Sequence, residues 1–462
     1  MQCNDQMRWQ SWQPTSPCTE IATEPSSCGV TPRRDRRDQG GDMIAILAAV
    51  GSLILGISLI QLANGYTGTL IGIRLSAGHV EPVVIGIVTS AYFAGYVTGA
   101  LLCRRLIQRT GHIRAFAAFA ALVVGSVLGH ALYFHPAPWA VLRALTGFGC
   151  AGLFVATESW LAVKATSANR GTVFATYMVA TYATFAGSQF ALNLASPDEF
   201  TLFALAAILI CAALVVVATT RAEQPVVTTG SRLRTGELAT AAPVAVAGCF
   251  VAGLITGSFY ALVPVYGQSS AYSLLQISSY MALATFGGLL LQIPVARLSD
   301  RFDRRLVAGL AALAFAVVAQ LTAPGARPHW FLLCWLLLGG FMSVIYPVCV
   351  AHANDRMPAE HAVSVSGRLI VISGAGSILG PLLGSGVMSV FGIRGLFDYM
   401  AAAAAVFAVF ALTRALRVRP PAFKSRRPIL LVPSIFAHDL AHAPAEARTG
   451  VPGRLRRTTA ED

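Results

Sequence analysis

Twelve apolar runs occupy most of the 462-residue chain. A bilayer core about 30 Å thick needs roughly 20 apolar residues per helix, because each residue adds about 1.5 Å. Charged residues make up only 12% of the chain, about half the usual share of a soluble protein, which excludes a soluble multidomain enzyme. The sequence therefore predicts an all-α polytopic membrane protein with twelve transmembrane helices, at 43–63, 82–102, 113–133, 138–161, 171–194, 200–219, 242–266, 275–297, 305–323, 329–352, 362–390 and 394–416.

The basic residues predict the orientation of this array. With the N-terminus inside, 29 of the 34 Lys and Arg residues lie in the tails and inner loops, and the outer loops contain only Arg74, Arg327 and Arg394. Cytoplasmic loops carry an excess of Lys and Arg, so both termini are predicted to be cytoplasmic, in a bacterial-type plasma membrane. The net charge of +13 is then explained by contact with anionic lipid, and no nucleic-acid partner is expected.

The longest hydrophilic break between runs, at 220–241, divides the array into six and six. We predict an N-terminal six-helix bundle over 43–219 and a C-terminal six-helix bundle over 242–416, flanking a central cavity. Residues 1–42 are predicted to form a disordered cytoplasmic tail without a cleavable signal peptide, although Met43 is an alternative natural start. Residues 417–462 are predicted to be a basic cytoplasmic tail.

The patterns that indicate a nucleotide, metal or catalytic centre are missing from the sequence. Neither Lys164 nor Lys424, the only two lysines, follows a glycine as a phosphate-binding loop requires. The nine cysteines form no CxxC pair, and no His/Asp/Glu metal spacing or GxSxG elbow occurs. We therefore expect no enzymatic activity, no cofactor and no bound metal.

Two segments that follow the second and eighth runs carry a resemblance to a known family. The sequence ARLSDRFDRR at 296–305 resembles GxLxDRxGRR, the cytoplasmic signature of the major facilitator superfamily, with Ala296 and Asp303 at its two glycine positions. The counterpart that begins at Gly99 departs from this signature, because Cys103 stands at the Asp position and the spacing from Arg to Gly is longer.

Two further motifs lie inside the runs. The sequence RALTG at 143–147 resembles the RxxxG signature of the fourth span in this family. The sequence GSILGPLLG at 376–384 is similar to the antiporter signature GxxxGPxxGG, but it lies in the eleventh run, whereas the family places it in the fifth. With the split of six and six, the resemblance covers roughly residues 43–416.

The resemblance implies a secondary active transporter whose two bundles rock about a central site. The expected partners are a small-molecule substrate, H⁺ as the coupling ion and the lipid bilayer, and the protein is expected to be a monomer. The substrate and the direction of transport stay open. A non-transporting sensor or scaffold with the same fold is the alternative.

The candidate substrate and coupling residues centre on Arg143, which lies roughly 8 Å below the outer surface of the fourth run. A charge inside a membrane is costly and usually faces a wet cavity or a partner. Arg143 therefore either serves coupling, as the resemblance implies, or bonds to a structural partner at similar depth. Together with a second intramembrane cation, it could attract an anion or be neutralised by Glu158 or Asp355. The proposed set is Arg143, Gln61, Asn64, Tyr260, Tyr346 and Arg368.

Weaker polar candidates for the cavity are Tyr177, Tyr182, Gln189 and His352, which we interpret as structural or interfacial hydrogen-bonding groups.

The candidate gating residues lie at the predicted cytoplasmic ends of the runs. Glu158 could bond Arg104, Arg105 or Arg170 when that side closes, or it could be an ordinary interfacial charge. In the family signature after the eighth run, the resemblance implies a charge network of Asp300, Arg301 and Arg304.

Overall fold

The computed structural model describes residues 36–164, 170–219, 235–322, 328–358 and 361–417. The chain divides into two units, residues 1–45 and 46–462, and the account below concerns the second. Residues 1–35 and 418–462 of the predicted tails and residues 220–234 of the predicted linker lie outside the described residues. Residues 36–42, predicted as part of the disordered tail, are helical and belong to the first helix.

The described chain is helical. Its elements are α1 (Arg36–Ala77), α2 (Pro82–Thr110), α3 (His112–Leu132), α4 (Pro136–Lys164), α5 (Arg170–Ser188), a 3₁₀ helix (Gln189–Leu194), α6 (Thr201–Ala218), α7 (Thr235–Ala241), α8 (Pro243–Ser269), α9 (Leu274–Arg301), α10 (Arg304–Leu321), α11 (Pro328–Arg356), α12 (Ala362–Phe391) and α13 (Gly395–Arg417). Eleven of the described helices are long and apolar enough to cross a membrane. The protein is therefore an all-helical, multi-pass membrane protein.

Helix α5 is a long helix that is not among those eleven. It contains four Thr and two Tyr in 19 residues, and it changes into the 3₁₀ helix where a single span over 171–194 is predicted. The twelfth crossing of the bilayer, by this run, stays a prediction. The short helix α7 occupies the end of the predicted linker.

Helix α1 continues 14 residues beyond the predicted end of the first run at residue 63. The polar side chains that interrupt the apolar pattern there are hydrogen-bonded inside the protein. Tyr66 Oη donates to the Leu202 carbonyl at 2.7 Å, and Thr69 Oγ1 donates to Gln189 Oε1 at 2.8 Å. Because these groups are satisfied by other helices, the polar residues do not end the helix.

Glycine pairs bring neighbouring helices into backbone contact both in residues 46–219, here called the first half, and in residues 235–417, the second half. A Cβ atom on Gly95 of α2 would overlap the Ala144 carbonyl of α4, and one on Gly147 would overlap the Tyr92 carbonyl. In the second half, Gly287 of α9 faces the backbone of α11, and Gly339 of α11 faces that of α9, in the same way. Small residues allow such close approach where lipid gives no hydrophobic drive for helices to associate. The same packing therefore recurs in the two halves, 46–219 and 235–417.

The halves meet along α2 and α12. We call the end of the bundle where α2 begins, next to Glu81, the Glu81 side, and the opposite end the Arg104 side. A Cβ on Gly86 would overlap Ser385, near the Glu81 side. Ser90 Oγ donates to the Ile378 carbonyl at 2.7 Å, and Val97 packs against Gly374 deeper in the bundle.

A second contact between the halves joins α5 and the 3₁₀ helix to α9. Asn193 Nδ2 donates to Ser278 Oγ at 3.1 Å near the Glu81 side. Tyr182 and Gly288 meet near the middle of their helices, where a Cβ on Gly288 would lie 3.4 Å from the Tyr182 ring. These described contacts run from the Glu81 side to the middle of the bundle.

We expect the Gly287→Ala substitution to destabilise the second half, because the added methyl group forces α9 away from the α11 backbone. Overpacking of this kind costs about 1–3 kcal/mol and lowers the midpoint of thermal unfolding in detergent. The control is Gly125→Ala on α3, where the added Cβ meets nothing within 4 Å. Equal midpoints for the two variants would contradict the packing described here.

Candidate functional site

A cavity of about 190 Å³ lies between the two halves. Eight helices line it: α1, α2, α4 and α5 of the first half, and α8, α9, α11 and α12 of the second. Its described wall is mostly aromatic or hydroxylic. The aromatic members are Tyr92, Phe93, Tyr96, Phe154, Tyr182, Phe185, Tyr260 and Tyr346. Such a wall suits an organic molecule with a substantial apolar surface.

Arg143 is held against the ring of Tyr92. Its Cζ atom lies 4.3 Å from the ring centroid, and the residue as a whole is only 6% exposed. The glycine contact explains this placement, because Tyr92 and Arg143 lie about one turn before Gly95 and Gly147, where α2 and α4 touch. The site therefore depends on the glycine contact between α2 and α4.

A hydrogen-bonded group surrounds the Tyr92 hydroxyl. Asn64 Nδ2 donates to Tyr92 Oη at 3.1 Å, and Cys150 Sγ lies 3.6 Å from Asn64 Oδ1. The Nε and Nη1 atoms of Arg143 are buried and have no hydrogen-bond partner among the described residues. Burying a guanidinium without acceptors is unfavourable, so an acceptor that reached these two donors would stabilise the site.

The structure brings together five of the six predicted substrate and coupling residues. Gln61, Asn64, Arg143, Tyr260 and Tyr346 line the cavity, where the buried Tyr346 Oη also has no described partner. Arg368 is exposed on α12 and is not among the lining residues. Its part in substrate binding stays a prediction that this arrangement does not support.

Of the weaker polar candidates, only Tyr182 lines the cavity. Gln189 is buried and bonds Thr69, Tyr177 is buried beside Glu158, and His352 is buried outside the cavity wall.

Most aromatic residues of the wall were not among the residues predicted from the sequence. Phe185 of the first half and Tyr260 of the second pack edge to face, with ring centroids 5.4 Å apart. Tyr96 and Phe154 form a second pair, with centroids 6.4 Å apart. An aromatic residue in an apolar run gives no signal that separates a cavity-facing position from a core or lipid-facing one.

Glu158 is buried near the end of α4 that lies on the Arg104 side of the bundle. It is 5% exposed, and its Oε1 accepts a hydrogen bond from Tyr177 Oη at 2.9 Å. The bonds predicted from Glu158 to Arg104, Arg105 or Arg170 stay predictions. The side chain of Arg170 is not among the side chains that the structure describes.

The second half carries a charge cluster on the Arg104 side. Arg304, 4% exposed, bonds Asp300 Oδ1 at 3.2 Å and Asp355 Oδ2 at 2.9 Å. Asp300 and Arg304, two of the predicted gating residues, are therefore paired with each other. Asp355, which was not among the predicted gating residues, connects the cluster to α11. The third gating residue predicted in this segment, Arg301, is exposed.

Asp303 and Arg305 form a second pair beside this cluster, at the start of α10. Arg305 Nη2 lies 2.7 Å from Asp303 Oδ2, and the Asp303 side chain also accepts from the Arg305 backbone N–H. Burial alone would raise the pKa of the Asp303 carboxyl, but the hydrogen bonds from Arg305 outweigh it and hold the pKa below its usual value. The pair therefore fixes the turn that precedes α10.

The first half has a different arrangement at the matching position. Cys103 is fully buried, and its Sγ lies 3.9 Å from the Phe148 carbonyl of α4. A thiol there packs as a small apolar group and does not carry the charge of an aspartate. The two signature segments therefore stabilise their halves in different ways.

We expect Arg304→Ala to destabilise the protein, because it leaves Asp300 and the partly buried Asp355 without this counter-charge. Losing such a partner costs about 1–3 kcal/mol, to be measured by thermal unfolding in detergent. Arg301→Ala, three positions earlier and exposed, is the matched control and should change stability by less than about 0.5 kcal/mol. If both variants have the same midpoint of thermal unfolding as the parent protein, the cluster contributes nothing to stability.

The helical membrane architecture and its central cavity define a polytopic protein built like a transporter. The family model of the Major Facilitator Superfamily matches residues 44–289 and 271–444. The chain belongs to this superfamily, a family of membrane transporters.

Relatives and solved structures agree with this membership. The chain is 29% identical to YcaD of Escherichia fergusonii, an uncharacterized MFS-type transporter, over 382 residues that cover 80% of this chain and 96% of the relative. YcaD of Shigella flexneri is also 29% identical over 376 residues, covering 79% and 95%.

Among solved structures, a mutant of the nucleoside transporter NupG matches with a TM-score of 0.68 at 13% identity, covering 80% of this chain and 100% of that one. A bacterial homolog of the human lysosomal transporter Spinster, inward-facing and unoccupied, matches with a TM-score of 0.61 at 15% identity, covering 81% and 99%. At such identities the likeness shows the fold alone.

Proposed function

We propose that this protein is a secondary active transporter that moves a small organic molecule by alternating access and is driven by the proton gradient. The observation that carries the proposal is the cavity between the halves, lined by four helices of each. The described contacts between the halves run from the Glu81 side to the middle of the bundle. Rocking the halves about this contact would expose the cavity to one side at a time.

The orientation predicted from the basic residues makes the Arg104 side cytoplasmic, so the conformation described would face inward. In this proposal the protein acts as a monomer in the plasma membrane, with both termini in the cytoplasm. The gating role assigned to Arg104, Arg105, Arg170, Glu158, Asp300, Arg301 and Arg304 is to pair across the Arg104 side when it closes.

Glu158 is the proposed proton site. It is the one buried acidic residue among those the structure describes, and Tyr177 Oη donates a hydrogen bond to one of its oxygens. A buried carboxylate changes its protonation readily with its surroundings, because burial disfavours the charged form and hydrogen bonds favour it. A rocking motion that alters the contacts of α4 and α5 would therefore change its proton affinity.

The first test is transport in proteoliposomes under a pH jump, with a pooled panel of metabolites and drugs followed by mass spectrometry. We expect at least one compound to move in proportion to the gradient. The Glu158→Gln variant should no longer accumulate substrate against its concentration gradient. It should still exchange substrate across the membrane, because only the proton-transfer step is removed.

The control for this test is Glu81→Gln, an exposed glutamate at the start of α2, which should transport like the parent protein. If a folded protein moves nothing across a broad panel, the transporter proposal fails and the sensor alternative gains. If Glu158→Gln still accumulates substrate, the proton is carried elsewhere.

A second test addresses alternating access directly. The double substitution Asn193→Cys with Ser278→Cys places two thiols where a hydrogen bond joins the halves on the Glu81 side. Oxidation should link them and abolish transport of whichever compound the panel identifies, and a thiol reductant should restore it, because that side can no longer open.

Each single substitution, treated with the same oxidant, controls for the native cysteines. Full transport by the oxidised double variant, with the cross-link shown by mass spectrometry, would be incompatible with opening on the Glu81 side.

A further inference from the structure

The charge of the cavity wall restricts what it can bind. Of the described residues that line the cavity, Arg143 is the only one with a formal charge, and none is Asp or Glu. In a medium of low polarity a single cation creates a strong local field, because little solvent screens it. The wall therefore repels organic cations and attracts anions.

The contacts of Arg143 leave it able to bind an anion. The face of the Tyr92 ring attracts the guanidinium from one side but accepts no hydrogen bond in the guanidinium plane. Nε and Nη1 are buried and have no hydrogen-bond partner among the described residues, and Arg143 as a whole is 6% exposed and lines the cavity. A guanidinium presents its donors in a planar fork that matches the two oxygens of a carboxylate.

The groups next to Arg143 distinguish one end of the cavity from the rest. Asn64, hydrogen-bonded to the Tyr92 hydroxyl, provides an amide close to the guanidinium. The pairs Tyr96–Phe154 and Phe185–Tyr260 line the same cavity and present aromatic surface from both halves of the protein. Aromatic side chains favour flat apolar groups, by stacking or by edge-to-face contact.

We propose that the cavity binds organic carboxylates with a flat aromatic body, with the carboxylate on Arg143 and the body between the two aromatic pairs. The anionic group then contacts the first half, and the body reaches Tyr260 of the second, so the ligand bridges the halves. This inference rests on the proposed transport function, because it names the substrate class of the same cavity.

The test compares three probes that share one body and differ in charge: 2-naphthoate, 2-naphthamide and 2-naphthylmethylammonium. Their affinities for the full-length protein in detergent are measured by isothermal titration calorimetry. We expect 2-naphthoate to bind about 10- to 100-fold more tightly than the amide, the range for a hydrogen bond to a charged group, and the ammonium to bind most weakly.

Three variants locate the preference. Arg143→Gln should bind 2-naphthoate and 2-naphthamide equally, and Arg143→Lys, which keeps the charge but not the fork, should keep part of the preference. Arg394→Gln removes one positive charge from an exposed position between α12 and α13 and should bind like the parent protein. Size-exclusion and melting profiles check that each variant is folded.

Several outcomes overturn the proposal: equal binding of the three probes, preference for the cation, a preference that survives in Arg143→Gln, or no binding by any probe. Transport separates this inference from the proposed function. If 2-naphthoate binds through Arg143 but no gradient moves it or any pooled compound, the transport proposal fails and the binding site stands. If the panel yields gradient-driven transport of neutral or cationic compounds only, the substrate class is wrong and the transport proposal stands.

Discussion

The constraint on which this structure depends is the absence of hydrogen-bonding partners in the hydrocarbon core of a bilayer. Each membrane segment must satisfy its backbone amides within itself, so every described crossing is a helix. The same solvent gives helices no hydrophobic reason to associate. They associate where small residues permit backbone contact, as Gly95 and Gly147 do between α2 and α4. That contact in turn presses Arg143 against Tyr92 and creates the charged end of the cavity.

Contacts within each half and contacts between the halves are built from glycine approaches and neutral hydrogen bonds. Within each half, glycine pairs bring backbones together over several turns and exclude even a methyl group. Between the halves, the described polar contacts are single neutral hydrogen bonds, such as Ser90 to Ile378 and Asn193 to Ser278. Each contributes only about 0.5–1.5 kcal/mol net. Close glycine contacts also join the halves, where Gly86 lies against Ser385 and the Pro381 carbonyl and Gly374 lies against Val97.

The charges are distributed unevenly over this framework. In the second half, Arg304 is surrounded by Asp300 and Asp355 on the Arg104 side, so its charge is used within that half. In the first half, Cys103 removes the matching carboxylate, and the buried acid is Glu158 on α4, bonded to Tyr177 of α5. The Arg304 ion pairs therefore lie in the second half, and the buried acid Glu158 lies in the first.

The sequence was sufficient for the membrane class, the approximate positions of the eleven described helices that can cross a membrane, the family resemblance and the presence of Arg143 within an apolar run. Hydropathy indicates whether each stretch of chain lies in lipid or in water, and it can be read along the chain without knowing which distant residues are in contact. It could not predict that α1 continues through Tyr66 and Thr69, because their hydrogen-bond partners come from residues 202 and 189. It also could not separate Arg143 from Arg368, since both appear as single cations in apolar runs.

Only the tertiary structure decided which of the two arginines faces the cavity, which aromatic residues form its wall and which partner Glu158 has. A membrane helix is apolar both where it meets lipid and where it meets other helices, so its sequence carries little information about which face is which. That choice is made by the close contacts between helices far apart in the chain. The sequence by itself determined what lies in the membrane, and packing determined what faces the cavity.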